Sequence, residues 1–152
     1  MSDLWSWSLR VYGRPGVAAA CLEAQDRHGA DVNLLLWAAW TGAEHGHLLT
    51  AGEVAAAREA VVGWHREVVV PLREVRRRLK TGPVPAPDAD TEALRTRIKA
   101  TELEAERIEQ AVLASHPALP QHGADPAAAL AANLRMLLGP EPAEPLIRSL
   151  TS

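Results

Sequence analysis

The 152 residues carry a formal net charge of −3, with 47% hydrophobic and 23% charged residues, an ordinary balance for a soluble globular chain of one domain. That charge excludes a global field for gathering nucleic acid or an acidic membrane surface. A single cysteine, Cys21, excludes an intramolecular disulfide and fits a reducing compartment.

Asp3 can cap a first short helix over Leu4–Tyr12, with Leu4, Trp7 and Val11 on one face. Gly13-Arg14-Pro15-Gly16 is a turn. The second helix, about Pro15 to His28, sets Val17, Cys21 and Ala24 on one face, and Gly29 stops it. Asp31 sits where an N-cap belongs, before a third helix from Val32 to about Glu44 that is apolar on nearly every side. Such a helix is buried by its neighbours. Its run Leu34–Trp40 is the longest strongly apolar stretch, far short of the ~20 residues that span a bilayer.

Thr50-Ala51-Gly52-Glu53 is a capping box that opens a fourth helix with the stripe Val54, Ala57, Val61, Trp64 and Val68. Pro71 removes one intrahelical bond, which predicts either a kink near Glu67 or a new helix. Leu72, Val75 and Leu79 continue the register. Residues 81–88, with three prolines, read as an extended linker. A long helix then runs from about Thr91 to Ser115, its apolar stripe Leu94, Ile98, Ala105, Ile108 and Val112 facing the bundle. Asp125-Pro126 starts another helix that Gly139 stops. Past Pro140 the Pro-rich tail reads as loose, with a short turn over Leu146–Leu150.

No β-branched alternation spans a strand length, so the fold class is all-α. The expected architecture is a compact bundle of about six helices over residues 3–115. A Pro/Ala-rich extension over 116–152 adds one amphipathic helix at about 126–138.

These residues also carry a resemblance. Leu4-Trp5-Ser6-Trp7-Ser8-Leu9, Tyr12, Pro15-Gly16-Val17, Cys21-Leu22, Gln25-Asp26, Gly29, Asp31 to Leu36, Trp40, Trp64, Pro71-Leu72-Arg73, Arg76-Arg77, Leu79-Lys80, Lys99 and Glu102 to Glu106 resemble a family of small bacterial proteins carried as a domain of unknown function. The resemblance covers roughly residues 3–113. It implies an all-helical cytoplasmic domain and brings no activity, cofactor or catalytic residue with it.

Candidate chemistry concentrates in three places. Asn33, Trp37, Trp40 and Glu44 fall on one stripe of helix three, within about 60° of one another. An amide, two indoles and a carboxylate could line a small-molecule pocket, with Asp26 nearby. The plainer reading makes Asn33 a structural hydrogen-bonding group and the tryptophans core. Arg73, Arg76, Arg77, Arg78 and Lys80 form a basic run that could hold an anion or RNA, or meet an acidic face of another chain.

Glu102, Glu106 and Glu109 share a face read as solvated. Hairpin geometry places Arg76–Arg78 near Glu92–Arg95, out of reach of that acidic group. No His or Cys spacing matches a helical zinc site, and no nucleotide or hydrolase motif is present, so no metal and no cofactor are expected. Whether the protein is an enzyme stays open. The leading expectation is a non-enzymatic interaction or scaffolding module, with a protein partner or homodimer, no membrane association and little affinity for nucleic acid. The opening Met-Ser-Asp-Leu-Trp lacks a secretory pattern, which makes the cytoplasm the expected compartment.

Overall fold

A computed structural model describes residues 3–116 and 123–152. The described residues are all helical: α1 (Leu4–Tyr12), α2 (Val17–His28), α3 (Val32–His45), α4 (Ala51–Trp64), a π-helical turn (His65–Val69), α5 (Val70–Arg78), α6 (Ala89–Ala114), α7 (Pro126–Leu138) and α8 (Pro140–Thr151). They divide into two compact units, one of residues 3–60 with 110–152 and one of residues 61–109.

The first unit is built around α3. Every residue from Asn33 to Gly42 is buried, which is what an all-round apolar helix requires. Asp31 caps it, its carboxylate accepting from the Asn33 N–H at 2.9 Å. Asp31→Ala is expected to cost about 1 kcal/mol, read as a lower melting temperature. α1 supplies Leu4, Trp7 and Val11 to the core, and α2 supplies Val17, Cys21 and Ala24. The Thr50–Glu53 capping box forms in both directions, at 2.9 and 3.1 Å.

The most extensive packing of α3 is against α7. The sequence offers no evident place for α7, and two details of the structure provide one. Gly42 lets the α7 backbone approach so closely that a Cβ would lie 2.3 Å from the Leu130 nitrogen. Asn133, buried on α7, accepts from the Leu49 N–H at 2.9 Å. It also donates to the carbonyls of His47 (2.9 Å) and Ala38 (3.1 Å). One amide thereby satisfies backbone groups of a loop that would otherwise be buried unpaired.

The tail is a correction. Residues 140–151 form α8, which buries Ala143, Leu146, Ile147 and Leu150 and packs on α7 and α2. Pro140 and Pro142 sit in the first turn, where a missing N–H costs nothing because those donors have no intrahelical acceptor. The prolines conceal from sequence reading a stripe with ordinary helical spacing.

In the second unit, a π-helical turn over His65–Val69 precedes Pro71, at the position near Glu67 where the helix is expected to depart from regularity. The helix widens into the π turn, where the Val70 N–H reaches back five residues to the His65 carbonyl. That spares the Pro71 ring its clash with the carbonyl one turn earlier. The expected stripe is buried at Val54, Ala57 and Val61, Trp64 is 37% exposed, and past the extra residue of the π turn Val69 is buried in place of Val68.

Candidate functional site

The second unit reverses the expected polarity of α6. Its buried positions within this unit are Glu102, Ala105 and Glu109. The larger aliphatic side chains at the two ends of the stripe are left out: Leu94 is 41% exposed and Ile108 is 38% exposed, whereas Glu102 is 5% and Glu109 0% exposed. The solvated acidic face expected from sequence is thus corrected to a buried one.

The buried carboxylates are tolerable because each has a cationic or protic partner. Arg76 forms a two-pronged pair with Glu102. Arg73 lies 3.6 Å from Glu102 and 3.8 Å from Glu106. The Glu102 carboxylate holds the Arg76 guanidinium above its usual pKa. His65, at the start of the π turn, donates from Nδ1 to Glu109 Oε1 at 3.0 Å.

The basic and acidic clusters therefore meet within one chain, against the expectation that they stay separately exposed. The hairpin closes with α5 opposite the middle of α6 because the linker, residues 81–88, is long enough to shift the register. Of the five basic candidates, Arg73 and Arg76 lie in this ionic seam, while Arg77, Arg78 and Lys80 remain at the surface.

Outside the seam the unit presents apolar surface. Trp64, 37% exposed, donates its indole N–H to the Ala105 carbonyl at 2.8 Å. That bond places it on α6 at Ala105, between Thr101 and Ile108 in the chain. Glu74, Val75, Arg78, Leu79 and Pro83 line an open groove of about 410 Å³. Of the stripe expected to face inward, Ala105 is buried and Ile98 half-buried, whereas Leu94, Ile108 and Val112 are exposed. The signal that separates the two faces is that Glu102 and Glu109 stand seven residues apart, in step with Arg73, Arg76 and His65 across the hairpin.

The helix-three candidates are packed. Trp37 is fully buried and donates to the His116 carbonyl at 2.6 Å. Trp40 is buried and meets His45 edge-on, with ring centroids 4.9 Å apart. Glu44 lies 3.9 Å from Arg10, and Asp26 is exposed on α2. Asn33 Oδ1 accepts from Gln110 Nε2 at 3.0 Å, and Gln110 Oε1 has no hydrogen-bond partner among the described residues.

Burial depresses the His45 pKa below 6.5, with nearby His47 adding to the effect and Glu44 opposing it. Its Nε2 is buried without a hydrogen-bond partner. The unfolded chain then binds the proton more readily than the folded one. Stability from His45 is full above pH 6.5 and falls as pH drops through the folded pKa. An imidazole titration by NMR should place His45 below 6.5, and His45→Gln should flatten the acid limb of the stability profile.

Among the described residues, no helix is long and apolar enough to cross a membrane. Residues 3–113 match the family described as "Protein of unknown function (DUF2390)", and the chain belongs to that family. No curated protein and no solved structure matches the chain.

Proposed function

We propose that this member of the DUF2390 family is a non-enzymatic protein–protein interaction module that self-associates through the outward apolar face of its second unit. The observation that supports the reading is the inversion of α6. A helical hairpin that buries only Val61, Val69, Ala86 and Ala105 beside its ionic seam, and leaves Leu94 and Ile108 outside, uses part of its hydrophobic contribution to folding. Covering Leu94, Ile108 and Trp64 with another surface recovers the rest. Arg73 and Arg76 pair with Glu102 within the chain and so do not serve to meet an acidic face of a second copy.

Light scattering after size exclusion tests this. The wild-type mass is expected at twice 16.4 kDa, and Leu94→Glu with Ile108→Glu should give a folded monomer. A wild-type monomer across micromolar concentrations would sink the proposal.

A second reading, small-molecule binding at Asn33, has the open acceptor of Gln110 in its favour, since a buried oxygen without a partner invites a polar guest. Native mass spectrometry of protein purified without denaturant tests it. Extra mass that disappears in Asn33→Leu supports it, and a bare chain mass ends it.

A further inference from the structure

We infer that the self-association proposed above, on which this inference rests, is an antiparallel pairing of α6 with α6 of a second copy. Register and orientation are set by Arg97 and Glu104. Three observations carry the inference.

The first is periodicity. Thr91, Leu94, Ile98, Thr101, Ala105 and Ile108 recur at alternating steps of three and four, the spacing of a two-helix seam. This helix is long, spanning 26 residues, or ~39 Å at 1.5 Å per residue. The second is exposure: Leu94, Thr101 and Ile108 are exposed on this line, and Trp64 widens it beside Ala105.

The third is charge. Arg97 and Glu104 occupy the same flanking position of successive repeats, both exposed and opposite in sign. Flanking positions of that kind face each other only when the two helices run antiparallel. In one register Arg97 of each copy lies opposite Glu104 of the other. The seam then sets Leu94 against Trp64, which is bonded to the carbonyl of the buried Ala105, Ile98 against Thr101, and Thr91 against Ile108. Sliding by one repeat in either direction sets Glu104 against Glu104 or Arg97 against Arg97. The intrachain partner of Glu104, Arg107, is a surface pair at a spacing of three residues, which is worth little and easily shared.

A parallel pair loses this complementarity. It directs Arg97 and Glu104 toward the flank of Glu102 and Glu109, whose carboxylates are turned into the ionic seam.

Disulfide trapping on the full chain tests orientation. Thr91→Cys and Ile108→Cys are made separately, one with a mass tag, and mixed in a glutathione buffer. Cys21 stays silent there, because burial pushes its thiol up to about 12. Thr91→Cys loses the hydroxyl bonds to the Asp88 backbone and keeps the Asp88 carboxylate cap on the backbone N–H of residue 91 at 2.8 Å. The mixed disulfide is expected to exceed either symmetric one roughly tenfold.

Predominance of symmetric disulfides overturns the antiparallel arrangement while leaving self-association standing. A stable dimer that forms no disulfide at these positions overturns the α6 seam and again spares self-association. A monomer removes both. As a second readout, Arg97→Glu should weaken the dimer roughly tenfold and Glu104→Arg in the same chain should restore it. Failure of that restoration overturns the assigned register.

Discussion

Gly42→Ala is expected to be the most damaging single methyl group in the first unit, costing about 3 kcal/mol. The added Cβ would lie 2.3 Å from the Leu130 nitrogen, 2.6 Å from the Leu130 Cα and 2.7 Å from the Ala129 carbonyl carbon. All three are backbone atoms of α7, so no rotamer change relieves the overlap. Separation of α3 from α7 would also stretch the four hydrogen bonds of the Asn133 side chain.

In a chain of this size the cost reads as a fall of roughly 6–12 °C in melting temperature. Gly63→Ala is the control. Its Cβ meets nothing closer than Glu67 Oε2 at 3.6 Å, and the gain in helix propensity should stabilise by about 0.5–1 kcal/mol. Equal melting temperatures for the two variants would mean that α3 and α7 do not approach as described.

Glu102→Gln is expected to cost about 2–3 kcal/mol, because it leaves Arg73 and Arg76 facing a neutral amide. Their side chains are only 12% and 20% exposed, so water compensates poorly. The informative comparison is Glu102→Leu together with Arg76→Met. Removing both charges strands no cation, because Arg73 keeps Glu106 at 3.8 Å, and should recover most of the loss of either single variant. Urea denaturation of the two single variants and the double variant gives the coupling directly. Additive losses would show that the ionic seam contributes no pairwise energy. They would also remove the argument that the seam is what permits α6 to present its aliphatic face outward.

Local rules carried much of the fold. Asp3, Asp31 and Asp125 cap the helices they precede, and the Thr50–Glu53 box forms as written in the chain. Capping depends on four consecutive residues, so sequence suffices. The buried faces of α1 and α2 were equally legible, since one apolar stripe per amphipathic helix leaves no choice about which side goes in. The burial of α3 followed from its having no polar side at all.

Tertiary structure decided the rest, and in each case the reason is an energy that depends on a partner far along the chain. Pro71 admits a kink, a break or a π turn, and only the turn keeps Val69 buried while sparing the ring its clash. The tail prolines look like breakers, yet α7 and α2 offer an apolar bed for Ala143, Leu146, Ile147 and Leu150. On α6 the two candidate faces are equally periodic. Hydrophobicity alone selects the aliphatic one for the interior. What selects the carboxylate face is the position of His65, Arg73 and Arg76, brought opposite it by a π turn and a linker whose geometry no local pattern records. The sequence by itself determined where helices begin and which residues share a face. Which face of α6 is buried depended on charges 26 to 44 residues apart, and that is a property of the folded chain.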